Sequence, residues 1–288
     1  MIRVAGRPYT QNDLFPGGST EAIILQRLME DSDVHAYRSM DELIFEVELR
    51  RQIILSARAL HDSDADFEVF IQSRGNPRYW NVSTTGVFRL QRGVLPADAI
   101  RDIFMNSSQY GFECATAMVI IYYDAVLKLL GDRKFNQIFP DLYLYSWHFD
   151  SDLGIQARNS TFHIPGDVVY FNNPDFNWST PQWRGENAIV LEDGMYYGHG
   201  IGMKSAREMI NELNQRRNPG STISAYVTTQ VTFPNFKHLA RIMMMRADAA
   251  RKFQYVIIEH DECSIDFDRY IKYMHTTYQR PHPFPPRF

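Results

Sequence analysis

The sequence predicts an α+β fold, with helices packed against a mixed sheet, from the order of its apolar patterns. Runs with helical spacing dominate up to about residue 131, and short β-patterned runs follow. No internal repeat and no clear linker interrupts them, so residues 1–288 read as a single domain long enough to bury one sizeable core.

The first long helix is expected over "SMDELIFEVELRRQIILSARALHDS", where Ser39 and Glu42 stand at capping-box spacing. "RYWNVSTTGVFRLQ" reads as a hairpin turning at Thr84, Thr85 and Gly86. Pro96 suits the first turn of a helix running to about Asn106. After the break "NSSQYG", another helix is expected from about Phe112 to Leu130, stopping at Gly131. Strands are then predicted at "DLYLYSWHF" and "DVVYF", and a hairpin at "NAIVLEDGMYYGHG" around an Asp-Gly turn. A helix around Ser205 to Asn214 and a strand near Thr222 to Thr232 complete this part. From about residue 244 an extension is expected to form a helix, a strand and a helix. It ends in a mobile Pro-rich tail over about 280–288.

Composition excludes several function classes. Hydrophobic residues make up 44% and charged residues 22%, a globular balance that argues against wholesale disorder. The net charge of -4 offers no basic footprint, so no nucleic-acid partner is expected. Aromatic residues, at 14%, suit a large core, an apolar cleft or a surface that meets other proteins. "MIRVAGRPYTQNDLFPGG" lacks the apolar region of a signal peptide, and no run is expected to approach the roughly 18 apolar residues of a membrane span. Synthesis in a reducing cytosol without a membrane partner is the resulting expectation. The 2 cysteines, Cys114 and Cys263, cannot build a disulfide framework, and neither has the neighbouring Cys or His of a zinc site.

Cys114 sits beside Glu113 where a loop gives way to the apolar run "CATAMVIIYY". In the first turn of a helix, unpaired N–H groups and the macrodipole favour thiolate and lower its pKa. The same N–H groups can hold a developing oxyanion. The alternative is a small core residue among Ala115, Ala117 and Val119, because free cysteine is commonly buried.

A nucleophilic thiol needs a proton acceptor, and the later hairpin supplies candidates. Asp193-Gly194 as a two-residue turn sets Ala188 opposite His199. Glu186, Ala188 and His199 then share one face, with Glu186 diagonal to His199. A three-residue loop would shift the register by one and separate them. Pairing of Glu186 with Arg184, and a structural role for His199, stay open at this point.

"AIRDI", "GFECATAMVIIYY", "YSWHFD", "DVVYFNNPDF", "QWRGEN" and "YYGHGIG" resemble, in order and spacing, the spore-associated bacterial transglutaminases of endospore-forming bacteria. These are protein-glutamine gamma-glutamyltransferases, and the resemblance runs from the first capped helix to about Arg241. It implies a papain-like, NlpC/P60-type core with the nucleophile at a helix N-terminus. By position it implies Cys114 as nucleophile, Glu186 as the essential glutamate, Glu113 as the acidic neighbour and His199 as the histidine near the site. It further implies an aromatic substrate tunnel drawing on Phe67, Trp147, Tyr170 and Trp183. Its partners would be glutamine- and lysine-bearing proteins, among them spore coat proteins, with no cofactor. Beyond about Met244 the chain is longer than the short family members.

That chemistry suits these residue types. A thiolate attacking a glutamine carboxamide gives a tetrahedral oxyanion, then a thioester and ammonia. Ammonia leaves only if protonated, so some group must act as acid. The incoming lysine amine must lose a proton to a carboxylate, for which Glu186 is the choice and Glu113 the substitute or partner. The competing classes are an amidase or peptidase that uses water as acceptor, and a non-catalytic coat scaffold. The acidic run "HDSDADFE" places Asp62, Asp64 and Asp66 at the spacing that opens a calcium loop. Phe67 stands where that loop needs glycine and Ser73 where it needs glutamate, so no metal requirement is expected. "GHGIG" lacks the spacing of a nucleotide loop and reads as the glycine-rich end of a hairpin.

Overall fold

The structure is a computed structural model that describes residues 1–11, 13–244 and 257–279. Its helices are α1 (Thr20–Glu30), α2 (Met40–His61), α3 (Pro96–Met105), α4 (Cys114–Ile138), α5 (Ala206–Asn214), α6 (Phe236–Met244) and α7 (Phe267–Gln279). Helix α2 begins where Ser39 Oγ accepts from the Glu42 amide at 3.3 Å. The Glu42 carboxylate reaches back one residue beyond the cap, accepting from the Arg38 amide at 2.6 Å. Pro96 stands at the first position of α3, as its preset φ favours. Gly131 breaks α4 with φ 73° and ψ 161°, and a further short helical stretch carries on to Ile138.

Six antiparallel strands form the principal sheet. In spatial order they are Gly202–Lys204, Tyr196–Gly198, Gly185–Val190, Val168–Asn172, Tyr226–Phe233 and Gln156–Asn159. Parallel pairing occurs in two small sheets, Ile2–Val4 with His35–Tyr37 and Asp66–Phe67 with Gly111–Phe112, so over all its sheets the pairing is mixed. The predicted hairpin after Arg78 is present, with Trp80 opposite Leu90 and Val82 opposite Phe88.

Helix α4 is the centre of the core, packed against α2, α3 and the strand Gly185–Val190. Contrary to the expectation from composition, it is long and apolar enough to cross a membrane. Of its most apolar window, 83% is buried inside the fold, so other helices and the sheet cover this apolar surface. The second face of the sheet carries a smaller cluster, with Phe171, Ala188 and Val190 against Met209 and Leu213 of α5. Ser205 and Glu208 form a full capping box at the start of α5.

Residues 257–266 run without regular structure to α7, so the expected final helix is present. The expected strand before it lies mostly outside the described residues, as does the Pro-rich tail over 280–288.

Candidate active site

Helix α4 starts at Cys114 because Glu113 caps it. Glu113 is extended, with φ −82° and ψ 162°, and its carboxylate accepts from the Ala115 and Thr116 amides at 2.9 and 3.2 Å. These first-turn amides had been expected to serve an oxyanion; Glu113 already occupies them. The extended cap also brings sequence neighbours together, with Glu113 Oε1 3.4 Å from Cys114 Sγ. Successive helical side chains diverge by about 100°, so this contact depends on the non-helical backbone at Glu113.

Cys114 is fully buried. Its sulfur also meets Ser264 Oγ at 3.3 Å and Asn187 Nδ2 at 3.4 Å. The expectation of a depressed thiol pKa is corrected here. Burial, followed by the negative charges of Glu113 and Glu186, holds the thiol well above its ordinary value. A helix N-terminus offers at most about 2 kcal/mol, less than a buried, unpaired anion costs. The resting group is a neutral thiol.

Glu186 is equally buried, on a strand whose every residue from Gly185 to Val190 is inaccessible. The glycines of "YYGHGIG" make room for it. A Cβ at Gly198 would stand 2.5 Å from Glu186 Cγ, and one at Gly200 would stand 3.0 Å from Oε2. The Gly200 amide donates to Oε1 at 3.0 Å, while Oε2 has no hydrogen-bond partner among the described residues. Burial pushes the carboxyl pKa up to about 8, with the Gly200 amide opposing and the Glu113 charge adding. Glu113 is also raised by burial, but the Ala115, Thr116 and Ser264 amides and the Cys114 thiol all favour its ionised form. The two carboxyls therefore differ in kind. Glu113 is tied into the backbone, and Glu186 keeps one oxygen free. No hydrogen bond joins Cys114 to Glu186 among the described residues, and the two interact through charge.

The hairpin register differs by one residue from the two-residue turn. Ala188 pairs with Gly198 and Ile189 with Tyr197, and the Leu191 amide donates to Met195 O. Glu192, Asp193 and Gly194 thus form a three-residue loop, closed by Gly194 at φ 78°. His199 is accordingly separated from Glu186. Its ring hydrogen-bonds Tyr197 OH and the Asp66 carbonyl, both at 3.1 Å, and stacks on Phe112 with centroids 4.7 Å apart. Burial pushes its pKa down to about 4, so it stays neutral. It ties the hairpin to the Asp66–Phe67 strand and makes no hydrogen bond to Cys114, Glu113 or Glu186 among the described residues.

The four aromatic residues of the expected tunnel fall into two pairs. Phe67 and Trp183 pack together at 5.5 Å, with Phe67 also beside Gly200 at the Glu186 carboxyl. Trp147 and Tyr170 turn their polar atoms to the C-terminal segment. Trp147 Nε1 donates to Ile265 O at 3.0 Å, and Tyr170 OH donates to Ser264 O at 2.7 Å. Asn187 and Ser264 were not anticipated. Asn187 had a signal, a polar residue within an apolar strand run beside Glu186. Ser264 had none, because only folding brings it to Cys114. In the acidic run, Asp66 and Glu68 are paired with Arg74. Among the described residues no three His, Cys, Asp or Glu side chains converge to hold a metal.

The chain is similar to several known proteins. A family model described as protein-glutamine gamma-glutamyltransferase matches residues 1–243. A protein-glutamine gamma-glutamyltransferase from Halalkalibacterium halodurans is 42% identical over 275 residues, covering 95% of this chain and 97% of that one. That alignment runs past residue 243, into the C-terminal segment. One from Bacillus pumilus is 45% identical over 234 residues, covering 81% of this chain and 95% of the relative. A solved structure, "Transglutaminase from Geobacillus stearothermophilus (without C-terminal extension)", is 45% identical. It superposes with a TM-score of 0.69, covering 73% of this chain and 100% of that one.

Proposed function

The chain belongs to the protein-glutamine gamma-glutamyltransferase family, and on that premise we propose that it joins protein glutamine to lysine through a thioester on Cys114, without calcium. Membership makes it a transferase with a papain-like core. The observation that supports the residue roles is the convergence of three buried groups. The Cys114 thiol lies 3.4 Å from Glu113 and within the field of Glu186, whose Oε2 lacks a partner among the described residues.

The step begins with a neutral thiol and an ionised Glu186. The carboxylate takes the thiol proton as sulfur bonds to the glutamine Cδ, giving a tetrahedral oxyanion. When the C–N bond breaks, Glu186 returns the proton and ammonia departs, leaving a thioester. A neutral lysine amine then attacks, Glu186 accepts its proton and passes it to the sulfur as the C–S bond breaks, leaving the isopeptide, a neutral thiol and an ionised Glu186. Because Cys114 and Glu186 share no hydrogen bond at rest, the proton passes once substrate or a water bridges them. Glu113 hydrogen-bonds the sulfur and fixes its position. The apolar walls at Phe67, Trp183, Trp147 and Tyr170 keep water from the thioester, favouring transfer over hydrolysis.

Glutamine- and lysine-bearing proteins of the spore coat are the substrates we infer. The motifs shared with spore-associated enzymes support this reading. The test is incorporation of a dansylated primary amine into a glutamine-bearing protein, with ammonia measured in parallel. Ammonia release without amine incorporation would assign an amidase instead.

A further inference from the structure

Cys114 is buried, and the segment 257–267 passes its thiol. Ser264 touches it directly. Its hydroxyl meets Cys114 Sγ at 3.3 Å and its amide donates to Glu113 Oε1 at 3.2 Å. The two successive carbonyls are captured by the core. Tyr170 OH takes that of Ser264 at 2.7 Å, and Trp147 Nε1 and Asn187 Nδ2 take that of Ile265 at 3.0 and 2.9 Å. All three donors are buried side chains, so without a peptide over the thiol each would lose a partner at a cost.

Flanking contacts anchor the segment at both ends. Glu262 pairs with Arg184, beside the Glu186 strand, and with Arg269 at 2.8 Å. Tyr145 OH and the His260 backbone exchange hydrogen bonds, and His260 Nε2 meets Ser146 Oγ at 3.1 Å. Ile265, Phe267 and Tyr270 are buried in the main core, with Phe267 edge-on to Trp147 at 5.5 Å. Ser264 is held at φ 53°, a left-handed backbone that a non-glycine residue adopts only where its surroundings compel it.

We propose that residues 257–267 are an intramolecular inhibitor, a length of peptide bound in the groove where a substrate's backbone would lie, which must leave before Cys114 can react. Ser264 stands where the reactive side chain of a substrate would approach the sulfur. As a hydroxyl on a saturated carbon it offers no carbonyl to attack, so the segment occupies the groove without being consumed. Tyr170, Trp147 and Asn187 are on this view the groove's backbone-binding donors. The consequence for catalysis rests on the transferase reading above; occlusion of the thiol does not.

Two variants within the segment test this in the full-length chain. Ser264→Pro removes the hydroxyl and the amide donor and cannot adopt φ 53°. Ile265→Asp forces a charge into an apolar site. Both shift the equilibrium toward the open form. Alkylation of Cys114 by iodoacetamide, resolved from Cys263 by peptide mass mapping, should accelerate about tenfold or more. Amine incorporation should rise by the same factor, since both rates scale with the open fraction. Faster alkylation without amine incorporation upholds the inhibitor and sinks the transferase reading. Unchanged alkylation in both variants overturns the proposal. Hydrogen exchange on the unaltered chain needs no variant: the Ser264 amide should be protected, and exchange at the free-peptide rate would equally overturn it.

Discussion

The Gly200 amide donates to Glu186 Oε1 at 3.0 Å, while the other carboxyl oxygen of this fully buried glutamate has no hydrogen-bond partner among the described residues. One donor does not offset the loss of water around the carboxylate, so the group titrates near 8. A base with that pKa must lose its proton to work, so turnover should rise with pH through about 8.

Glu186→Gln keeps the shape and removes the acceptor, so turnover should fall by about 10² to 10⁴-fold. Its effect on stability should have the opposite sign. A carboxyl whose folded pKa exceeds its unfolded value favours the fold below the unfolded pKa, and that contribution is lost as pH rises through about 8. Glutamine escapes this, so the variant's melting temperature should gain on the parent's between pH 6 and pH 9. A constant difference across that range would mean that Glu186 is ionised throughout.

Glu113→Gln should behave differently. It exchanges a charged helix cap for a neutral one, which weakens bonds to three amides, so stability should drop by about 1 kcal/mol. Turnover should fall less than at Glu186. Equal, near-total losses at both positions would indicate a shared proton network in place of separate roles.

Cys114→Ser should abolish amine incorporation while the fold persists, because a hydroxyl is a far weaker nucleophile near neutral pH. Cys263 is buried against Phe70, Val87 and Tyr145, its pKa pushed up to about 12 by burial and the nearby Glu113 charge. Cys263→Ser should retain the chemistry. Inactivation that follows labelling of Cys263 alone would undo the site assignment.

Gly198→Ala tests the packing that seats the base. The added methyl would lie 2.5 Å from Glu186 Cγ, the near end of the side chain, so the carboxyl must move. A misplacement of about 1 Å can cost of order 10²-fold in rate. Amine incorporation should fall accordingly, with circular dichroism unchanged; full activity would show that Glu186 need not sit where it does.

Calcium provides a further test. With Asp66 and Glu68 engaged by Arg74, the acidic run is built into a surface ion pair. Amine incorporation should persist in excess EDTA and gain nothing from added calcium, while a thiol alkylating agent blocks it. Loss in EDTA with recovery on calcium would return Asp62, Asp64 and Asp66 to the mechanism.

Local chemistry made much of this protein legible in its sequence. Helical apolar spacing, the Ser39 cap, Pro96 and Gly131 act within a few residues, and each marks the structure where expected. Glu113, Cys114 and Glu186 were recognisable because two short motifs carry them. The hairpin register was not legible: Asp193-Gly194 favours a two-residue turn, but packing selects a three-residue loop, which seats Glu186 against Gly198 and moves His199 away. The state of the thiol was beyond local reasoning altogether. A helix N-terminus in water favours a thiolate, but burial beneath Ser264, between Glu113 and Glu186, reverses the balance. That reversal comes from burial and from two carboxyls, one of them on a distant strand, which meet the thiol only once the whole fold has formed.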